Sequence, residues 1–372
     1  TTGATVLEEV EVLPGSLLLW RSLTQWLGGM GIILLAVAIL PLIGVGGMEL
    51  YRAEFSGSNS EKLTPRVAET ALSLWKLYLA FTLAGYVALR WAGMDPLNAL
   101  CHAFSTMATG GFSTRNASIE SFQNPLIEYV IIGFMIIAGI NFTMHYKLLV
   151  EFQPRHFFRD TELRLYFLLI VIATGAIVLL STPSSGTVSD NIRVALFQVV
   201  SIMTGTGFSS ANFELWGPFA QLLLLALMFV GGCTGSTTGG LKIARISLLF
   251  RVVSREFRRM AEPRGIFAVR LDREAVAEST IQGFLNLVYL AFIINFAGCI
   301  TLTALGVDIL TSITAVTASM FNVGPGLGQV GPTDNFGHLP ALAKWVLSFC
   351  MLAGRLEYYA VLLLFTKAFW RK

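Results

Sequence analysis

The residues best placed to do chemistry in this chain are small ones. Three runs share one register: Met107-Ala-Thr-Gly-Gly111-Phe112, Met203-Thr-Gly-Thr-Gly207-Phe208 and Met320-Phe-Asn-Val-Gly324-Pro325. In each, a glycine follows the methionine after three residues, and the opening Thr1-Thr2-Gly3-Ala4 falls into the same frame. No run holds a carboxylate, histidine or cysteine, so what they offer is backbone carbonyl oxygen. A dehydrated cation needs oxygens that replace its water shell, and rings of carbonyls supply them. Aiming consecutive carbonyls at one axis needs dihedrals that side chains oppose and glycine permits. The lack of carboxylates points to a weakly hydrated monovalent ion and away from calcium. A tight turn between helices would explain one or two of these runs, but not the shared register of four.

A second glycine cluster, Gly231-Gly232-Cys233-Thr234-Gly235-Ser236-Thr237-Thr238-Gly239-Gly240, interrupts the apolar stretch that begins near Trp216. Glycine costs about 1 kcal/mol relative to alanine in a helix, so the cluster does not sustain one. A phosphate loop is excluded by the missing GxxxxGK[ST] spacing. Two readings remain: a kink for packing, or non-helical backbone lining a cavity at membrane depth. Arg355 sits in the middle of the last apolar segment, with Glu357 nearby. An arginine at bilayer depth costs roughly 2.5–3.5 kcal/mol or more and needs a cavity or a partner. A structural ion pair and a fixed charge facing the cation path both satisfy that need. Asn141, Thr143 and His145 form a polar group in an apolar context, suited either to a vestibule wall or to bonds between helices.

These residues need elements to position them. The chain has 372 residues, 54% hydrophobic and 13% charged, with a mean hydropathy of +0.67. Soluble domains keep about a quarter of their residues charged. Apolar segments fall at about 17–44, 67–92, 125–150, 162–182, 215–250, 276–305 and 339–366, each long enough to span a bilayer as a helix. Shorter stretches at 95–107, 191–203 and 308–320 end in the glycine runs, the pattern of a re-entrant helix followed by non-helical backbone. An aspartate near the start of each (Asp95, Asp190, Asp308) suits a helix N-terminus. The expected fold is therefore an all-α polytopic membrane protein. It consists of four pseudo-repeated helix–P-loop–helix units around one pore, the first truncated at its N-terminus. The units are 1–50 (filter and inner helix of repeat 1), 51–151 (repeat 2), 152–260 (repeat 3, with a broken inner helix) and 261–372 (repeat 4).

Most of the 26 basic residues lie on one side of these segments. They include Arg52, Lys62 and Arg66; Lys147, Arg155, Arg159 and Arg164; the long run from Lys242 to Arg273; and Lys367, Arg371 and Lys372. That side is read as cytoplasmic. The glycine runs lie toward the other face, whose connections carry Glu8, Glu9, Glu11, Glu120, Glu214 and Asp334. A net charge of +3 with no basic, aromatic-interleaved stripe argues against nucleic acid. Cys101, Cys233, Cys299 and Cys350 read as buried free thiols. An intramembrane enzyme would need a His/Asp pair or a GxSxG nucleophile, and the sequence offers neither.

Taken together, the runs Thr1-Thr-Gly-Ala-Thr5, Ala108-Thr-Gly-Gly-Phe-Ser-Thr114, Thr204-Gly-Thr-Gly-Phe-Ser209 and Asn322-Val-Gly-Pro-Gly-Leu-Gly328 resemble the TrkH potassium-uptake proteins of the Trk/Ktr/HKT superfamily. So do Gln25-Trp-Leu-Gly-Gly-Met-Gly-Ile-Ile33 and Gly354-Arg-Leu-Glu357. The resemblance implies potassium transport through a selectivity filter with signature glycines Gly3, Gly111, Gly207 and Gly324. Thr1, Thr2, Thr109, Gly110, Gly205, Thr206, Asn322 and Val323 would line it. It implies that Gly231, Gly232, Gly235, Ser236, Thr237, Gly239 and Gly240 form an intramembrane gating loop, with Arg355 in the pore beneath the filter. Potassium is then substrate, with no bound cofactor. The implied partners are a second copy in a homodimer, a cytosolic ring of TrkA-like nucleotide-binding subunits, and the bilayer of a bacterial cytoplasmic (inner) membrane. The family also carries an extra helical pair, the first outer helix and the first pore helix ahead of the position of Thr1. The runs are less alike than TVGYG filters, so sodium is expected to pass appreciably. A proton- or sodium-coupled symporter is the competing mechanism.

Overall fold

The computed structural model describes residues 1–34, 67–181, 186–265, 267–271 and 274–371. The end of the first apolar segment, the boundary at 50/51, and Arg52, Lys62, Arg66, Arg273 and Lys372 lie outside the described residues. The chain is helical: α1 (Gly15–Leu34), α2 (Val67–Trp91), α3 (Pro96–Met107), α4 (Pro125–Gly139), α5 (Phe142–Leu149), α6 (Pro154–Arg159), α7 (Thr161–Leu180), α8 (Val188–Met203), α9 (Pro218–Val230), α10 (Ile243–Ala261), α11 (Glu278–Ala304), α12 (Ile309–Met320), α13 (Ala341–Arg355), α14 (Tyr359–Leu363) and α15 (Lys367–Trp370). Two 3-10 turns, Ser118–Phe122 and Phe213–Leu215, and a two-residue antiparallel ribbon, Arg270–Leu271 with Glu274–Ala275, complete the described elements.

The order long helix, short helix, glycine turn, inner helix recurs three times, as α2–α3–α4, α7–α8–α9 and α11–α12–α13. Each short helix packs between the outer and inner helices of its own unit, and also against the inner helix of the unit before: α1 on α3, α4 on α8, α9 on α12. The units therefore interlock, and the short helices are held in the middle. Their starts have local causes. Asp95 and Asp308 are N-caps, accepting from the backbone N–H of Asn98 and Thr311. The remaining short helix, α8, begins earlier than the sequence suggests, because Thr187 is its N-cap and Asp190 completes a capping box three residues in.

Among the described residues, three unbroken helices are long and apolar enough to cross a bilayer, within α2, α7 and α11. The segments expected at 125–150, 215–250 and 339–366 are each broken. The first bends by 100° between α4 and α5. The second opens into the glycine loop between α9 and α10. The third stops at Leu356, because Glu357 and Tyr358 adopt left-handed backbone (φ 58° and 55°). Hydropathy sets how much chain lies in the membrane; it does not say that the chain stays straight.

Candidate functional site: a glycine ring and the loop beneath it

The methionines of the shared register are the last residues of α3, α8 and α12, and all three are buried. Each short helix then ends in the same way. Thr109, Gly205 and Asn322 take left-handed backbone (φ 51°, 69° and 56°). The next N–H reaches back to a carbonyl five residues earlier: Gly110 to Ser105 (2.9 Å), Thr206 to Ser201 (2.9 Å) and Val323 to Ala318 (2.8 Å). This is the Schellman ending, which favours glycine or asparagine at the left-handed position. Thr109 is β-branched and pays for that conformation; its hydroxyl donates to the Thr237 carbonyl (2.8 Å).

The signature glycines then meet. A Cβ on Gly3 would lie 3.0 Å from the carbonyl oxygens of both Gly110 and Val323. One on Gly111 would overlap the Thr206 carbonyl, and one on Gly207 the Val323 carbonyl. One on Gly324 would sit 2.7 Å from the Gly3 Cα. The neighbours thus run from repeat 1 to 2, 2 to 3, 3 to 4 and back to 1. Four segments far apart in sequence close a ring in chain order, with backbone touching backbone at every joint. Gly111, Gly207 and Gly324 carry positive φ (77°, 80° and 118°), so both conformation and space require glycine there. Side chains brace the ring from behind. Gln25 on α1 donates to the Gly110 carbonyl (2.6 Å) and accepts from the Phe112 N–H (3.1 Å). Asn322 Nδ2 donates to Thr2 Oγ1 (2.7 Å) and the Met351 carbonyl (3.1 Å). Thr206 shares a hydrogen bond with Thr204 (2.7 Å), and Thr1 packs near Gly28 of α1.

The cluster Gly231–Gly240 lies directly against this ring. Gly239 abuts the Phe321 carbonyl and the Asn322 Cβ, and a Cβ on Gly205 would lie 3.4 Å from the Gly239 nitrogen. Thr237 is the hub. Its hydroxyl donates to the carbonyls of Met107 (3.1 Å) and Ala138 (3.3 Å), while its carbonyl accepts from Thr109 Oγ1 and from Arg355 Nη1 (2.9 Å). Gly231 packs on the backbone of Gly239 and Gly240, Gly232 on Thr238, and Gly235 against the Asn141 amide. Ser236 Oγ bonds to the Cys233 carbonyl and to Thr238 Oγ1. Beneath the loop, Thr238, Lys242, Arg245, Asn322, Arg355 and Glu357 line a cavity of about 30 Å³.

Several sequence expectations change here. Glu357 has a partner besides its neighbour in sequence, Arg355. It pairs with Arg245, which approaches both carboxylate oxygens (2.7 and 2.9 Å). Arg245 and Lys242 were assigned to the basic cytoplasmic run; both are buried under the loop. Asn141 and His145 bridge the α4–α5 bend: Asn141 caps α5 through the Thr143 N–H (2.8 Å), and His145 Nε2 reaches the Ile137 carbonyl (2.9 Å). Glu214, in the connection before α9, accepts from the Gly328 N–H (2.6 Å). Burial, foremost, raises its carboxyl above the usual range. Sequence reading gave no role to Gly29 or Gly354. Gly29 lets α1 touch Ala108, and Gly354 lets α13 touch the Met320 carbonyl, so each allows an inner helix to reach the end of a short one.

Comparison with known proteins agrees with this architecture. Residues 1–372 match the family described as TrkH, cation transport protein. The chain is 44% identical over 380 residues to the Trk system potassium uptake protein TrkH of Escherichia coli K12, covering 100% of this chain and 77% of that one. It is 35% identical over 374 residues to the TrkI protein of Halomonas elongata, covering 76% of it. The crystal structure of the potassium transporter TrkH from Vibrio parahaemolyticus superposes with a TM-score of 0.88 at 39% identity, over 99% of this chain and 76% of that one. The chain belongs to the TrkH family of cation transport proteins.

Proposed function

We propose that this membrane protein carries potassium across a bacterial cytoplasmic membrane, through a filter made of the four glycine turns and gated by the loop Gly231–Gly240 with Arg355. The observation that carries the reading is the closed ring, in which each signature glycine lies on the backbone of the next repeat. Thr1, Thr2, Thr109, Gly110, Gly205, Thr206, Asn322 and Val323 are the residues that present oxygens to the ion. The four units 1–50, 51–151, 152–260 and 261–372 each supply one quarter. The loop closes the passage from below, and Arg355 adds a positive charge on the same path. The relatives' names assign them to potassium uptake and to a Trk system, which supports the substrate. A homodimer working with cytosolic TrkA-like subunits is the assembly we infer.

Passive flux is favoured over coupled symport. Coupling uses intramembrane carboxylates, and the two beside the loop are already engaged, Glu357 by Arg245 at both oxygens and Glu162 by Thr234 and Ala244. The test is rubidium uptake by the full-length protein in lipid vesicles, with and without a pH gradient. Uptake that is blocked by potassium, partly blocked by sodium, untouched by choline and indifferent to the gradient is expected. Equal block by sodium and choline would remove the sodium leak, and dependence on the gradient would replace the channel with a symporter.

A further inference from the structure

Glu162, in the first turn of α7, is not among the residues of the ring or the cavity, yet its carboxylate is bonded to the loop. Its Oε1 accepts from the backbone N–H of Thr234 (2.7 Å) and of Ala244 (3.0 Å). Its Oε2 accepts from the Thr234 hydroxyl (2.7 Å). Thr234 lies inside the loop, and Ala244 lies in the first turn of α10, just beyond it. One carboxylate therefore ties together the start and the exit of the loop. A carboxylate is suited to this position, because the first N–H groups of α10 have no partner within the helix.

We propose that Glu162 is the positioning residue that clamps the gating loop from outside the pore. The inference rests on the reading of that loop as the gate. The loop is held from two sides. Thr237 is fixed on the pore side by Thr109 and Arg355. Thr234 and Ala244 are fixed on the far side by an outer helix that does not line the passage. The backbone adds further fixed points: the Cys233 N–H on the Gly139 carbonyl (2.9 Å), the Phe142 N–H on the Gly235 carbonyl (3.1 Å) and the Ile243 N–H on the Gly232 carbonyl (3.1 Å). Moving the loop out of the passage while α10 stays in place requires Thr234 to leave Glu162. The clamp therefore sets how much of the time the loop is shut.

A natural reporter adjoins the clamp. Cys233 is a free thiol, 2% exposed, one residue before Thr234. In the full-length protein with Cys101, Cys299 and Cys350 changed to alanine, the rate of Cys233 modification by a small methanethiosulfonate is followed beside rubidium influx. Glu162→Ala is expected to speed modification by about tenfold or more, as loss of a hydrogen bond to a charged group from the closed state implies, with influx rising alongside. Glu162→Gln keeps an acceptor for both N–H groups and turns an amide toward the Thr234 hydroxyl, so it stays near wild type. Thr234→Val falls between, and serves if Glu162→Ala does not fold. Unchanged Cys233 reactivity in both Glu162→Ala and Thr234→Val overturns the clamp whatever the flux does, as does a Gln variant as leaky as the Ala one. Faster modification with unchanged influx upholds the clamp and removes the loop as the gate.

Discussion

The glycine ring and the loop beneath it use the same residue types, glycine with threonine, yet they are held by different means. The ring is locked by backbone. At Gly111, Gly207 and Gly324 no side chain fits between one repeat and the next, and the backbone is left-handed. The loop has backbone contacts too, Gly239 on the Phe321 carbonyl and the Cys233 N–H on the Gly139 carbonyl among them, but to these it adds a set of side-chain ties: Thr109, Arg355, Glu162 and the amide of Asn141 reach it, and its own Thr237 reaches out. Backbone contact is all or nothing, whereas side-chain bonds come off one at a time. The difference suits the roles proposed for them, a filter that keeps its spacing and a gate that moves.

The largest effect expected from breaking this contrast is at the ring. Gly207→Ala forces a side chain into left-handed backbone, a cost on the order of 1–3 kcal/mol, and drives its Cβ into the Val323 carbonyl. Potassium-selective rubidium uptake should be lost altogether. Gly175→Ala in α7, where a Cβ meets nothing within 4 Å, should leave uptake unchanged. If both variants transport alike, the ring is not the filter.

Next comes the floor of the cavity. Arg245 is 3% exposed and Glu357 14% as side chains. Removing one partner of a buried pair costs about 3–5 kcal/mol, whereas replacing both with apolar residues of similar size is often neutral. Arg245→Ala should therefore lower the thermal midpoint in detergent sharply, and Arg245→Met with Glu357→Leu should recover most of the loss. No recovery in the double variant would mean that the two residues act separately.

How much of this was legible depends on what each residue answers to. The glycine turns could be read because a left-handed helix ending and a backbone contact both demand small residues, and those demands recur in register. Glu357 and Tyr358 are left-handed without being glycine, so the break after α13 left no trace in composition. The α4–α5 bend falls at Ile140-Asn141, inside an apolar run with no proline, and hydropathy passed over it. Arg245 reads as cytoplasmic because it stands in one basic run with Arg251, Arg255, Arg258 and Arg259; its burial follows from where α10 starts, and that is set by the loop. Glu162 could not be singled out, since its partners are backbone N–H groups 72 and 82 residues away.

A smaller effect, of opposite sign to the first, is expected at Arg355. Its Nη1 bond to the Thr237 carbonyl is one of several holding the loop, and its charge repels cations. Arg355→Ala removes both, and a lost charged hydrogen bond of about 1.5–3 kcal/mol gives on the order of a tenfold rise in rubidium influx. Unchanged or reduced influx at normal expression would place Arg355 among the structural residues, and the gate would rest on the loop alone.

The smallest effect is expected at the rim, where the short helices begin. The Thr187 hydroxyl and backbone N–H donate to Asp190 Oδ2 (2.7 and 3.0 Å), and Arg193 Nη1 approaches Oδ1 (2.9 Å). The Thr187 bonds first, and Arg193 after them, hold the Asp190 carboxyl below its usual range. A carboxyl depressed in the folded state contributes stability that is complete above its unfolded value, near pH 4, and is lost as pH falls through the folded value. Asp190→Asn keeps one acceptor but does not titrate. Its thermal midpoint at neutral pH should fall slightly, with a flatter decline below about pH 4 than in the wild type, and its rubidium selectivity should be unchanged. The ring is fixed by contacts at the far ends of these helices, so weakening a cap at the near end leaves its spacing intact. A change in selectivity on Asp190→Asn would mean that the ring borrows its geometry from the helix starts, and that its backbone contacts alone do not lock it.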